Sequence, residues 1–165
     1  MIFFVLEFFM KRLVKRYVPR SIFPNSVDWT KVVENTSAAL KAEKPMTPKE
    51  VSLLTFSLSK LVPAPEVSEI ISALGTMAIS KLPEMNVADI SHLLAGFHRA
   101  GLRNELLFDL ASREIGKQAH LTTIDDVTHI LDSYIPYDNT NFLVEALVRR
   151  AILLIPNSKF IEPKN

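Results

Sequence analysis

The chain has 165 residues, of which 48% are apolar, and its 19 basic and 18 acidic residues give a formal net charge of +1. A chain of this length fits one domain, and its apolar fraction excludes a disordered tail. The absence of cysteine excludes a disulfide scaffold, a cysteine-based zinc site, an iron–sulfur cluster and a thiol nucleophile. Only four glycines are present, which disfavours phosphate-cradling loops and β-sandwiches and favours helices.

Basic charge is concentrated at the start of the chain. The first 26 residues carry five basic residues and one acid, whereas the remainder carries 14 basic and 17 acidic residues. Residues 2–10 are apolar but too few to cross a membrane, which takes about 20 residues. Residues 11–18 are amphipathic at helical spacing, with their basic residues on one side. We predict that residues 1–24 target the protein to an organelle or anchor it there; a plain helix packed by its phenylalanines is the alternative.

Helix-start signals recur three times, at intervals of 39 and 37 residues. Thr47, followed by Pro48 and Glu50, has the residues of a capping box, and Asn86 and Thr123 take the same place further along. After each cap come a β-branched apolar residue, a small hydroxyl residue and aliphatic residues, and then a second apolar helical segment. Because a single helix pair cannot bury its apolar face alone, this pattern predicts three pairs stacked on one another.

The predicted fold is therefore all-α: a short α-solenoid of about three helix-pair repeats, preceded by a basic amphipathic N-terminal helix. An ordinary bundle of six or seven helices is the alternative. The predicted segments are a capping helix over 25–46 with Ser26 as its cap, repeats over 47–85, 86–122 and 123–156, and a tail over 157–165.

The residues that suggest chemistry have structural explanations. Asp89, Asp125 and Asp126 fall in the first turns of helices, where capping and the helix dipole account for them. His92 and His129 occupy equivalent places in successive repeats; a two-histidine metal site is one interpretation, and a pair of repeat-surface residues is the favoured one. The sequence has no nucleophile elbow, phosphate loop or zinc-protease motif. We predict a protein that is not an enzyme and uses no cofactor and no metal.

The middle unit, residues 86–111, resembles the heptatricopeptide class of helical repeats and is also similar to octotricopeptide repeats. From Ile90 to Phe97 it has the order aliphatic, small, any residue, two aliphatics, any residue, small and aromatic, and its second helix carries the pair Leu107-Phe108. The resemblance covers about residues 47–155. It implies an organellar protein that handles RNA, of the kind found among transcript-stabilising factors and in expanded mitochondrial ribosomes.

On that resemblance we expect a mitochondrial protein, a structural subunit of a mitochondrial ribosome, which contacts rRNA through its basic N-terminus and neighbouring proteins through its repeats. One alternative is an accessory subunit of a respiratory or ATP-synthase complex, with membrane contact by the N-terminus; another is a mitochondrial RNA-stability factor. We expect no small-molecule substrate. The predicted RNA-binding residues are all basic: Lys11, Arg12, Lys15, Arg16, Arg20, Arg99, Arg103, Arg113, Arg149 and Arg150.

Overall fold

A computed structural model describes residues 28–62, 64–134 and 141–154. Across these residues the chain forms seven α-helices and no strand, which confirms the all-α class. The predicted N-terminal helix of residues 1–24 and the predicted tail of residues 157–165 lie outside the described residues. The helices are α1 (Trp29–Lys41), α2 (Pro48–Leu58), α3 (Pro65–Ile79), α4 (Val87–Arg99), α5 (Glu105–Gln118), α6 (Ile124–Tyr134) and α7 (Asn141–Leu154).

The chain divides into two compact units, residues 1–35 and residues 36–165, and the boundary falls inside α1. In the first unit, the Asp28 side chain accepts a hydrogen bond from the Lys31 amide at 3.3 Å, as a capping residue does. The predicted cap of this helix, Ser26, lies outside the described residues. The second unit holds the helices α2 to α7.

Capping side chains begin the first helix of each pair where the sequence predicted. Thr47 and Glu50 form a reciprocal capping box ahead of α2. The Asn86 side chain accepts a hydrogen bond at 2.8 Å from the amide three residues further on, at the start of α4. Thr123 and Asp126 exchange two capping bonds, at 3.0 and 3.2 Å, at the start of α6. Each cap satisfies amides that the helix leaves without partners and contributes about 1 kcal/mol.

The six helices of the second unit lie in two layers. The first helices α2, α4 and α6 pack side by side, and the second helices α3, α5 and α7 follow the same order. Each first helix also packs against the second helix that follows it. Neighbouring first helices contact each other more extensively than neighbouring second helices do.

Buried aromatic side chains tie the two layers together. Leu58, Phe97 and Tyr134, which lie at or near the ends of equivalent helices, are all buried. The rings of Phe97 and Phe108 lie 6.4 Å apart, and those of Phe108 and Tyr134 lie 5.4 Å apart, both close to edge-on. The Tyr134 hydroxyl donates a hydrogen bond to the Phe108 carbonyl at 2.6 Å. These contacts fix α6 against α5 and α5 against α4.

Buried serine hydroxyls connect successive first helices. Ser52 Oγ on α2 donates to the Asp89 carbonyl on α4 at 2.7 Å. Ser91 Oγ on α4 lies 3.0 Å from Asp126 Oδ1 on α6 and also 3.0 Å from the Ala88 carbonyl of its own helix, and it donates to the carboxylate as the stronger acceptor. Both serines are fully buried, and each follows a β-branched apolar residue after its helix cap. The same position therefore makes the same kind of contact, to the start of the next first helix, in two successive units.

We expect Ser91→Ala to lower the free energy of unfolding by about 1–3 kcal/mol, because the buried Asp126 carboxylate loses a donor. Ser112→Ala is the matched control, since the Ser112 hydroxyl bonds to its own helix at an exposed site; we expect a change within about 0.5 kcal/mol. Urea unfolding followed by circular dichroism measures both. Equal losses in the two variants would show that the bond between the helices contributes nothing.

Candidate functional site

The predicted RNA-binding residues of the N-terminal segment lie outside the described residues. They are Lys11, Arg12, Lys15, Arg16 and Arg20. The other predicted residues, Arg99, Arg103, Arg113, Arg149 and Arg150, are described, and they differ in what holds their side chains.

Three of the described arginines form surface ion pairs, and each keeps most of its side chain exposed. Exposed pairs of this kind contribute about 0–1 kcal/mol to stability, so a phosphate can compete for these guanidinium groups without loss of the fold. The pairs are Arg103–Glu105 at 3.1 Å, Arg113–Asp109 at 2.8 Å and Arg149–Glu145 at 2.6 Å.

Arg150 faces the protein more than its neighbour Arg149 does. Its Nη2 donates a long hydrogen bond to the Thr122 carbonyl at 3.4 Å, and its Nε is buried without a hydrogen-bond partner among the described residues. The side chain thus connects α7 to the turn before α6. Arg150 is therefore the described arginine least able to leave the protein for a ligand.

Three rings, one from each first helix, meet on the surface of the first-helix layer. They belong to Phe56 on α2, His92 on α4 and His129 on α6, and all three residues are half-buried. The Phe56 centroid lies 5.0 Å from that of His92 and 5.9 Å from that of His129, and the two histidine rings lie 6.3 Å apart. The rings are tilted or edge-on, as aromatic groups prefer. The equivalent positions of His92 and His129 do bring these two side chains together.

Two cations lie beside these rings. Arg99 Cζ is 4.7 Å from the Phe56 centroid and Lys60 Nζ is 5.3 Å from it, both within cation–π range. Partial burial lowers the pKa of Arg99, and it lowers the pKa of Lys60 with the help of repulsion from Arg99. Arg99 nevertheless keeps its charge at any physiological pH. We call the residues Phe56, Lys60, His92, Arg99 and His129 the ring–cation patch.

Burial also governs the titration of His92. Desolvation lowers the pKa of His92 below 6.5, the neighbouring His129 lowers it further, and Asp126 and Asp89 oppose this shift. His92 is therefore neutral at pH 7 and above. A neutral imidazole in contact with Phe56 avoids the cost of burying a charge between helices.

A partly buried carboxylate lies on the α6 side of the patch. Asp132 follows His129 by three residues, so the two share a face of α6. Burial raises the pKa of Asp132, and electrostatic interaction with His98 and His129 opposes that rise. The patch therefore carries cations on its α2 and α4 side and an acid on its α6 side.

We expect His92 to contribute a loss of stability as the pH falls from about 7.5 to about 5.5. Since the pKa of His92 is lower in the folded protein than in the unfolded chain, the unfolded chain takes up the proton first, and stability is lost as the pH falls through about 6.5. His92→Gln should flatten this part of the profile. Urea unfolding at three pH values measures it, and His120→Gln, at an exposed position on the turn after α5, should keep the wild-type slope. A wild-type slope in His92→Gln would contradict the assignment.

The described part of the chain contains no set of three or more histidine or acidic side chains placed to hold a metal ion. His92 and His129 alone fall short of the four ligands that a structural zinc site takes. Of the helices described, none has the length and apolar character needed to span a membrane.

Sequence reasoning singled out His92, Arg99 and His129 but missed Phe56 and Lys60. A signal for Lys60 was present, because Lys60 and Arg99 are 39 residues apart, which is the interval between the caps Thr47 and Asn86. Phe56 precedes Lys60 by four residues and therefore lies on the same face of the helical turn.

Comparison of the chain with protein-family models, with curated protein sequences and with solved structures gave no match. The fold and the site together define an all-helical protein of paired helices, with rings and cations gathered on its first-helix layer.

Proposed function

We propose that the protein is a short α-solenoid of helix-pair repeats that serves as a structural subunit of a mitochondrial ribosome. The observation that carries the repeat architecture is the recurrent interface between first helices. Ser52 and Ser91 occupy equivalent places, and each donates a buried hydrogen bond to the start of the next first helix. The more extensive packing of the first helices supports a curved stack with that layer on the inside.

A stack of repeats suits a role in assembly because it offers a long surface built from units that contact only their neighbours. Large apolar side chains remain exposed on α5 and α7, and burial against neighbouring ribosomal proteins would remove them from water. The most exposed of them are Leu106, Phe142, Ile152 and Leu153.

The resemblance of residues 86–111 to heptatricopeptide repeats supports the choice of a mitochondrial, RNA-containing assembly. The basic N-terminal residues supply charges that rRNA phosphates attract. They are Lys11, Arg12, Lys15, Arg16 and Arg20.

We infer a non-enzymatic role, without cofactor or small-molecule substrate, from how the acids at the helix starts are used. Both carboxylate oxygens of Asp126 accept hydrogen bonds, Oδ1 from Ser91 and Oδ2 from Thr123. A carboxylate held in this way stabilises the starts of two helices, which accounts for its position without acid–base chemistry.

An accessory subunit of a respiratory or ATP-synthase complex is the second candidate. The feature that favours it is the apolar run of residues 2–10, which suits the edge of a membrane. Extraction that requires detergent would support this candidate.

Native size fractionation of mitochondria, with detection of this chain before and after RNase treatment, tests the proposal. We expect co-migration with ribosomal particles and a shift to smaller sizes after RNase. Migration with a membrane complex, unchanged by RNase, would overturn the ribosomal proposal in favour of the second candidate.

A further inference from the structure

We propose that the ring–cation patch binds an unpaired segment of RNA, with a base stacked on its planar groups and the flanking phosphates held by its cations. This inference rests on the proposed contact with RNA and assigns that contact to a particular surface of the repeats.

The patch offers several planar groups within the reach of one or two nucleotides. Three rings lie 5.0 to 6.3 Å apart, and the guanidinium of Arg99 lies over Phe56. Unpaired bases stack on aromatic rings, on imidazoles and on guanidinium planes. Because the rings are half-buried and Arg99 is exposed, a base can approach without disturbing the core. A base inside a duplex has both faces covered, so this chemistry selects single strands.

The environment of Arg99 indicates an anionic ligand. Unlike Arg103, Arg113 and Arg149, Arg99 has no carboxylate partner among the described residues, although burial against Phe56 strips part of its hydration. A phosphate would supply the missing negative charge. Lys60 occupies the position equivalent to Arg99 in the preceding unit, so the two cations follow the same repeat as the helices.

The combination of rings and cations favours RNA over an acidic peptide. Carboxylates would pair with Arg99 but would leave the rings without a stacking partner.

Fluorescence anisotropy tests this site with a labelled single-stranded uridine oligonucleotide of about 12 nucleotides. A duplex of the same length serves as the second probe. The protein is the full chain, both unaltered and with the five basic residues of the N-terminal segment changed to glutamine, so that binding by that segment is separated from binding by the patch.

Phe56→Leu keeps an apolar side chain at the position but removes the ring against which the Arg99 guanidinium and the two histidine rings lie. We expect it to weaken single-strand binding about 5- to 100-fold in the glutamine background, which corresponds to the loss of one stacked base. Arg99→Gln should also weaken binding and reduce the salt dependence by about one phosphate contact. Lys117→Gln, on an exposed lysine of α5 that pairs with Glu114, is the control and should change the affinity less than about twofold.

Wild-type RNA affinity in both patch variants would overturn the proposed site. Equal affinity for the duplex and the single strand would also overturn it, as would a higher affinity for an oligoglutamate peptide than for the single strand. Circular dichroism verifies that each variant is folded. If Phe56→Leu is unfolded, the RNA affinity of Arg99→Gln, at an exposed position, tests the site on its own. If ribosomal co-migration persists but the patch variants bind RNA normally, only this inference fails. If the chain does not co-migrate with ribosomal particles but the patch variants bind the oligonucleotide more weakly than the wild type, only the ribosomal assignment fails.

Discussion

Phe97→Ala should lower the free energy of unfolding by about 3–5 kcal/mol, the largest effect we expect from a single truncation in this chain. The Phe97 side chain is 1% exposed and packs edge-on against Phe108 of α5. Its ring tip also fills the space above Gly75 of α3, where an added Cβ would overlap the ring. Truncation therefore opens a cavity among α3, α4 and α5 that rigid helices cannot close.

Phe142→Ala is the matched control for Phe97→Ala. Phe142, on α7, is 83% exposed, and we expect its removal to change stability by no more than about 0.5 kcal/mol. Urea unfolding followed by circular dichroism compares the two variants. Losses of similar size would contradict the placement of Phe97 between the layers.

The second large effect concerns a close approach of two first helices at Gly96. An alanine Cβ at Gly96 on α4 would lie 2.8 Å from Thr55 Cγ2 and 2.9 Å from the Thr55 carbonyl carbon and oxygen on α2. Because two of these atoms belong to the backbone, the helices themselves must move apart. We expect Gly96→Ala to destabilise the protein by about 1–3 kcal/mol, even though alanine favours a helix by about 1 kcal/mol over glycine.

Gly116→Ala tests the same exchange where nothing obstructs it. Gly116 lies on α5, and its added Cβ would meet no atom within 4 Å. The helix propensity of alanine should then act alone and stabilise the protein by about 0.5–1 kcal/mol. Thermal unfolding of both variants should therefore give shifts of opposite sign. Stabilisation by both substitutions would rule out the close approach of α2 and α4.

The starts of the helices were predictable because capping is local. Thr47, Asn86 and Thr123 each act through residues no more than three positions away, so the sequence contains the whole interaction. Asn104 caps α5 in the same way, with a 3.0 Å bond from the Leu107 amide, and its position just ahead of Glu105 is a local signal of the same kind.

The hydrogen-bond partners of the repeated hydroxyl residues could not be predicted from their position in the repeat. Ser52 and Ser91 bond to the next first helix, but Thr128 donates to Ile124 of its own helix at 2.8 Å. The difference arises because α6 is the last first helix in the described part of the chain, and no further first helix there packs against it. Periodicity gives the position of a residue within a repeat, but its partner depends on the neighbouring repeat.

The ring–cation patch was predictable only in part. The repeat interval aligns His92 with His129 and Lys60 with Arg99, so these pairs follow from the sequence. Phe56 does not, because it lies three residues after Leu53, the residue in α2 that aligns with His92. Its ring reaches both histidines only through the tertiary packing of α2 on α4.

Ultraviolet crosslinking in intact mitochondria tests the central claim most directly. The chain would be purified under denaturing conditions, the attached RNA sequenced and the crosslinked peptides identified. We predict mitochondrial rRNA from one defined region, attached to peptides of the basic N-terminal segment and of the first helices. Recovery of no RNA, together with chemical crosslinks to subunits of a membrane complex, would contradict the claim.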